Sequence, residues 1–137
     1  NVIIEPVALG DSNGVVTFWH SSDTGLSVTD GVGYKAGAKS TEVKMMTGDR
    51  YVQLHPTSSP NCIKIDVEGF ESDVLWGMQD LLKTPTLRAL FVEVHFEHSA
   101  RRGMTDAPNV VVSTLKTHGF SVRWIDPSHI AAERVVL

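Results

Sequence analysis

The sequence lacks the residues and motifs that several common kinds of protein chemistry need. Its single cysteine, Cys62, allows no disulfide within the chain and no cysteine cluster for structural zinc. No apolar run approaches the ~20 residues of a membrane-spanning helix. The motifs GxGxxG, GxxxxGK[ST], GxSxG and HExxH are all absent. The sequence therefore gives no indication of nucleotide hydrolysis or of nucleophilic hydrolysis.

Basic residues are in the minority. The chain has 12 Lys and Arg against 16 Asp and Glu, which gives a net charge of −4. A mildly acidic chain without a basic run is not expected to bind nucleic acid or anionic membranes. Residues 1–10 contain no basic segment of the kind that opens a signal peptide. We therefore predict a cytoplasmic protein with no nucleic-acid or membrane partner.

The composition is otherwise that of an ordinary globular protein. With 137 residues, 42% hydrophobic and 20% charged, the chain fits a single domain over residues 1–137. Cys62 opens an apolar run, so we expect it to be a small buried core residue. Trp76 and Met78 are likewise expected in the core.

Strand-like and helix-like segments alternate in the second half of the chain. The predicted segments are a buried strand at 62–67 ("CIKIDV"), a helix at about 70–83, a buried strand at 87–96 ("LRALFVEVHF"), a helix from Asp106 to Gly119, and strands at 120–125 and 133–137. This alternation predicts an α/β fold with a mostly parallel sheet and right-handed crossovers. The loop of about seven residues between the last two strands is too short for a parallel crossover, so these strands are expected to pair antiparallel or to lie apart.

The first half is less regular. Residues 2–9 and 14–19 read as strands on either side of Asn13-Gly14, a dipeptide that favours a hairpin turn. Residues 20–40 are rich in Gly, Ser and Asp, which predicts a surface loop. Residues 41–46 form another short candidate strand, followed at 48–54 by a turn leading into a short helix or strand.

Ionisable residues follow the two buried strands of the second half. Asp66 and Glu68 come at the end of the first, and Glu93 and His95 at the end of the second. Ligands in open α/β sheets bind beyond the carboxyl ends of the strands. If the two strands are neighbours, Asp66 should lie near Glu93 and His95. Strand alternation also places Glu93 and His95 on one face, with Val94 on the other.

Such a cluster suits several kinds of chemistry. A histidine beside a carboxylate can act as a base on a substrate hydroxyl. The carboxylates could instead hold a cationic or hydroxyl-bearing ligand. Asp66, Glu68, Glu93 and His95 together could also hold a divalent cation through oxygen and imidazole ligands.

Structural explanations compete with these functional ones. Glu68 and Glu71 can complement the positive end of a helix dipole, and Lys64 can be ion-paired. Glu93 is costly to bury without a partner, so it is expected either in a buried pair or in a functional role. His95 can be a structural histidine. On the loop predicted after residue 96, His98, Arg101 and Arg102 could bind an anionic substrate or be solvated.

The run "IKIDVEGFESDVLWGM" followed by "LFVEVH" resembles the FkbM family of S-adenosylmethionine-dependent methyltransferases. The characteristic run of that family reads much like "KIDVEGxExxVLxG", followed by "EVH". The upstream "VALGDSNGVVTF" resembles the "ALGD…G" segment of the same family. The resemblance implies a Rossmann-like class I methyltransferase sheet. It also implies transfer of the methyl group of S-adenosylmethionine to a hydroxyl of a small-molecule or glycan acceptor.

The resemblance also implies roles for individual residues. The catalytic set would be His95 as base with Asp66 or Glu93 orienting it. Ala8, Leu9, Gly10 and Asp11 would lie near the adenine of the donor, and Asp66 would face its methyl group. Glu68, Glu93 and His95 would line the acceptor side, and His98 is a further candidate for binding the acceptor. No metal is required in this scheme.

The sequence departs from the family pattern at its start. The glycine-rich "DVGANxG" motif and the acidic residue ending the second strand are absent, so we expect the carboxyl-terminal part of the domain, from the third strand onward, lacking the first strands. Gly48-Asp49 also replaces a usual Leu-Asp pattern. A fragment without the glycine-rich turn should bind the donor weakly or not at all. Its exposed sheet edge predicts either a homodimer or a longer protein that supplies the missing strands. The alternative is a noncatalytic interaction module that keeps the fold.

Overall fold

The computed structural model describes residues 2–20, 27–28 and 39–135. Its strands are β1 (Val7–Leu9), β2 (Gly14–His20), β3 (Ser27–Val28), β4 (Ser40–Met46), β5 (Cys62–Ile65), β6 (Ala89–Glu93), β7 (Phe120–Trp124) and β8 (His129–Arg134). Its helices are α1 (Gly48–Leu54), α2 (Glu71–Trp76), α3 (Phe96–Arg101) and α4 (Ala107–Thr117), with short 3₁₀ turns at Pro56–Ser58 and Leu81–Lys83. None of the helices in these ranges is long and apolar enough to cross a membrane. The loop predicted at 20–40 falls mostly outside the described residues.

The first sheet has the strand order β1-β4-β2-β3. β1 runs parallel to β4, and β2 runs antiparallel to both β4 and β3. The predicted hairpin between the first two strands is therefore wrong, because β4 lies between them. Val43 pairs with Val16, while the neighbouring Lys44 also pairs with Val7. Long-range pairing on both edges of β4 overrides the local turn preference of Asn13-Gly14.

The second sheet has the order β5-β6-β8-β7. β5 is parallel to β6, whereas β8 is antiparallel to both of its neighbours. Both sheets are mixed, so the prediction of a mostly parallel sheet is wrong. β6 and β7 do point the same way, as the crossover through α4 requires, but β8 separates them. The antiparallel pairing of the last two strands is confirmed.

β8 begins four residues earlier than predicted because its turn is tight. Asp126 Oδ1 accepts hydrogen bonds from the backbone N–H groups of Ser128 and His129, both at 2.9 Å. This side-chain turn is a common use of aspartate. It brings His129 into β8, opposite Glu93 of β6.

The core lies where the second sheet packs against α2 and α4. Its buried members are Ile65, Val74, Leu75, Met78, Leu81, Leu82, Leu87, Leu90, Val92, Val94, Val111, Leu115, Phe120, Ile130 and Ala132. The apolar positions predicted at helical spacing after residue 70 are all in this set. The helix itself ends earlier, at Trp76, and a 3₁₀ turn follows. Asp49 stabilises that turn by accepting hydrogen bonds from the N–H groups of Asp80 and Leu81.

The turn after α2 also packs against the end of β1. A Cβ atom at Gly77 would overlap the carbonyl oxygen of Gly10, so a side chain is excluded there. Thr47 caps α1 by accepting a hydrogen bond from the N–H of Arg50 at 3.1 Å. α4 begins and ends as predicted, with Asp106 before its first residue and Gly119 at a φ of 82° after its last turn.

Two predictions of burial are wrong. β5 was expected to be buried on both faces, but only Ile65 is fully buried, and Cys62 and Lys64 are exposed. Among the described strands, β5 pairs with β6 alone and lies at the edge of its sheet. Its alternate side chains point away from the face packed against the helices. Trp76 is 43% exposed rather than part of the core.

Candidate active site

The parallel pairing of β5 with β6 brings the ends of both strands to one edge of the sheet. His95 Nε2 lies 3.7 Å from Asp66 Oδ1 and 3.8 Å from Glu93 Oε1. Glu68 Oε2 lies closer, at 3.4 Å. The residues that the sequence predicted to share one cleft therefore meet around a single imidazole nitrogen. Val94 is buried in the core, on the opposite face, as strand alternation predicts.

A tight turn after β5 presents Glu68 to this cluster. Glu68 has a φ of 52° and Gly69 a φ of 94°, in the left-handed region that glycine tolerates best. A Cβ atom at Gly69 would lie 2.7 Å from the Cβ of His98. Residue 69 must therefore be glycine both for its backbone conformation and for its close contact with α3.

Arg102 holds the same turn in place. Its guanidinium makes a bidentate ion pair with Asp73, at 2.8 and 2.9 Å, and donates a hydrogen bond to the carbonyl oxygen of Gly69 at 2.6 Å. It also lies 3.4 Å above the centre of the Phe70 ring. Arg102 follows the last residue of α3 and supports the turn, so the prediction that it is solvated is wrong. Arg101 is exposed.

Glu71 is the most buried acidic residue of the site. Its Oε1 accepts a hydrogen bond from the N–H of Gly69 at 2.9 Å and lies 2.8 Å from His95 Nδ1. The sequence suggested a helix-dipole partner or a ligand contact for this residue. Instead it contacts the side of His95 that faces away from Asp66 and Glu93.

Lys64 is ion-paired, which is one of the roles predicted for it. Its Nζ lies 2.8 Å from Asp66 Oδ2 and 3.6 Å from Glu93 Oε2. The hydrogen bond from Lys64 lowers the pKa of Asp66 below its usual value. Asp66 is therefore a carboxylate at neutral pH.

Two further histidines border the cluster. His98 Nδ1 lies 3.0 Å from Glu68 Oε2, and the His98 ring stacks near that of His95 with ring centres 5.8 Å apart. His129 Nε2 lies 3.3 Å from Glu93 Oε2. Sequence reasoning missed His129, because only the pairing of β8 with β6 places it there. A hydrogen bond to Asp126 raises the pKa of His129.

The environment of His95 favours its protonated form. Partial burial lowers the pKa of the imidazole, but the hydrogen bond to Glu71 and the charges of Glu68, Glu71 and Glu93 outweigh burial. The pKa of His95 is therefore raised above its usual value of 6.5. An imidazole can serve as an acid or as a base, according to its protonation state.

A cavity of about 520 Å³ lies between the ends of β1 and β5. Its walls include all four residues predicted to lie near the adenine, Ala8, Leu9, Gly10 and Asp11. Asp66 and Glu68 also line it, so they connect the cavity to the histidine cluster. His95, Glu93 and His98 are not among its lining residues. The structure thus divides the predicted site into a cavity wall and an adjoining cluster, with Asp66 and Glu68 shared by both.

The cluster also contains a group of possible metal ligands. Asp66, Glu68 and His95 each offer one ligand atom, and these atoms lie within 4.8 Å of one another. Carboxylate oxygens with one imidazole suit Mg²⁺ or Mn²⁺ better than softer metals.

Comparison with known families agrees with the motif that surrounds this cluster. The model of the methyltransferase FkbM domain matches residues 1–122. The chain belongs to the FkbM methyltransferase family. This membership confirms the resemblance read from "KIDVEG" and "EVH", and it supports methyl transfer as the general activity of the FkbM domain.

One curated relative of this FkbM domain is the hexuronic acid methyltransferase AglP of Haloferax volcanii. It is 38% identical over 56 residues, which cover 41% of this chain and 23% of AglP. The aligned segment thus spans less than a quarter of the length of that relative. No solved structure matches the FkbM domain significantly.

Proposed function

We propose that this FkbM domain transfers the methyl group of S-adenosylmethionine to a hydroxyl of a small-molecule or glycan acceptor, with His95 as the base. The observation that carries the proposal is the convergence of Asp66, Glu68 and Glu93 on Nε2 of His95. The parallel pair β5–β6, whose strands are joined through α2, and the parallel pair β1–β4 are compatible with a Rossmann-like methyltransferase sheet.

The cavity beside the cluster has walls that fit such a donor. Ala8 and Leu9 offer apolar surface for a flat base, and the Asp11 carboxylate can accept a hydrogen bond from an amino group. Asp66 and Glu68 supply negative charge that suits a cationic donor. When bound, S-adenosylmethionine supplies a methyl group already activated on a sulfonium. The remaining task of the protein is to align the acceptor hydroxyl and to remove its proton.

His95 is placed to remove that proton. With Nδ1 bonded to Glu71, the other ring nitrogen, Nε2, faces the region bordered by Asp66 and Glu93. An acceptor hydroxyl bound there would give its proton to Nε2 as its oxygen forms the new bond to the methyl carbon, while the bond from that carbon to the donor sulfur would break and its electron pair would stay on the sulfur. Asp66 and Glu93 can orient the hydroxyl, while Glu68 and His98 contact other parts of the acceptor.

The direct test is methyl transfer by the protein that carries this chain. Candidate acceptors are incubated with donor labelled on the methyl carbon, and product masses are measured. The expected product has one labelled methyl group on an acceptor hydroxyl. Labelled methyl on a nitrogen, or on the protein itself, would contradict the proposal. Failure to bind or use the donor would instead support the noncatalytic interaction module.

Metal-assisted transfer is a second candidate, favoured by the ligand group of Asp66, Glu68 and His95. A divalent cation there would activate the hydroxyl by coordination and would leave His95 unavailable as a base. Metal analysis of the purified protein and assays with a chelator separate the two mechanisms. Methyl transfer that continues in the presence of the chelator supports the metal-free mechanism. The cytoplasmic location and the homodimer stay predictions from the sequence.

A further inference from the structure

We propose that Glu71 is a positioning residue that holds the hydrogen of the neutral His95 ring on Nδ1 and leaves Nε2 as the basic nitrogen. The placement of the hydrogen stands on the contacts of Glu71 alone. Its catalytic meaning rests on the proposed function. Asp66 and Glu93, the orienting residues suggested by the sequence, lie on the Nε2 side of the ring.

The burial of Glu71 indicates that its charge has a specific partner. The residue is only 1% exposed, and a carboxylate is costly to bury unless hydrogen bonds compensate for lost water. In the described part of the chain, its hydrogen-bond partners are the N–H of Gly69 and the Nδ1 of His95, both on Oε1.

The helix dipole does not account for this arrangement. An acidic residue in the first turn of α2 interacts favourably with the dipole while exposed to solvent. Asp73 occupies the same first turn and pairs with Arg102 instead. The dipole requires neither the burial of Glu71 nor its 2.8 Å contact with the imidazole.

The chemistry of the two groups determines where the hydrogen lies. An ionised carboxylate only accepts hydrogen bonds, so Nδ1 must be the donor. When His95 is neutral, its other nitrogen then carries a lone pair. The nearest carboxylate oxygens around Nε2 lie at 3.4 to 3.8 Å, longer than a normal hydrogen bond. Serine hydrolase triads use the same arrangement: a buried carboxylate contacts one ring nitrogen of the histidine, and the other nitrogen takes part in the reaction.

The test measures the ring of His95 directly by nitrogen NMR on the ¹⁵N-labelled chain. His95→Gln identifies the signals by their loss. In the wild-type chain, we expect the neutral ring to carry its hydrogen on Nδ1. In Glu71→Gln, the amide oxygen still accepts from Nδ1, but the negative charge is gone. The pKa of His95 should therefore fall while the hydrogen stays on Nδ1.

Glu97→Gln is the matched control, since it removes a carboxylate from an exposed position on α3. The pKa of His95 should fall further in Glu71→Gln than in this control. Hydrogen on Nε2 in the neutral wild-type ring, or equal pKa shifts in both variants, would overturn the proposal. If Glu71→Gln does not fold, the position of the hydrogen on the neutral wild-type ring decides whether the proposal stands. Neither measurement needs methyl transfer. A failure of the proposed methyl transfer can therefore be distinguished from a failure of the proposed role of Glu71.

Discussion

His129 Nε2 lies 3.3 Å from Glu93 Oε2, across the antiparallel pair formed by β8 and β6. This contact joins β8, the last strand of the described chain, to Glu93, the last residue of β6. The candidate active site therefore depends on β8, which lies between β6 and β7, as well as on the motif that identifies the family.

His95→Ala should lower the rate of methyl transfer by about 10²-fold or more, the usual scale for loss of a general base. The measurement is the initial rate at saturating donor with an identified acceptor. His118→Ala is the control, because the His118 imidazole contacts the carbonyl oxygen of Thr114 and, among the described residues, borders neither the cavity nor the cluster. Equal rates in wild type and His95→Ala would remove His95 from the mechanism.

Stability should fall as the pH rises above the usual histidine range. The pKa of His95 and the pKa of His129 are both raised in the folded chain. Their protonated forms stabilise the fold fully below the unfolded value of 6.5. That contribution is lost as the pH rises through the higher folded-state pKa. Urea unfolding at a series of pH values from 6 upward measures this. Replacing both residues by Gln should flatten the dependence, and an unchanged slope would argue against the assignment.

Arg102→Ala should destabilise the chain by about 2–4 kcal/mol. It breaks a largely buried ion pair, leaves Asp73 uncompensated and removes support from the turn at Gly69. Arg101→Ala is the matched control, since its side chain is 68% exposed, and its effect should stay within about 0.5 kcal/mol. Free energies of unfolding from urea titration give both values. Similar losses in the two variants would mean that the Arg102 contacts contribute little.

Gly69→Ala should cost more stability than Gly103→Ala. Both glycines have positive φ, 94° and 80°, so both variants bear backbone strain of about 1–2 kcal/mol. At residue 69 the new methyl group meets His98. At Gly103, chain neighbours aside, no atom of the described residues lies within 4 Å of an added Cβ atom. The comparison of unfolding free energies isolates the steric contribution. Equal losses would show that α3 can move away from the turn.

Features that depend on neighbouring residues were predictable. The spacing of Val74, Leu75 and Met78 predicted their burial, because a helix repeats its inward face every three to four residues. Strand alternation correctly placed Glu93 and His95 on one face and Val94 on the other. The start and end of α4 followed from Asp106, the proline in its first turn and Gly119.

Features that depend on residues far apart in the sequence were not predictable. Asn13-Gly14 favours a hairpin locally, yet β4 pairs between the two strands that the dipeptide joins. Helix α3 was read as a loop because its six residues carry no periodic apolar pattern. Cys62 looked like a core residue because an apolar run does not tell an edge strand from a central one.

By itself, the sequence determined the family and the residues available for chemistry. The motifs "KIDVEG" and "EVH" consist of consecutive residues, so they can be read without knowing the fold. Only the tertiary structure decided how those residues are arranged in space and which of them contact one another. It placed β8 beside β6, brought His129 to Glu93, and turned Glu71 rather than Asp66 toward Nδ1 of His95. Strand order and side-chain direction result from competition among all possible burial arrangements of the chain, and that competition is settled only when the whole core packs.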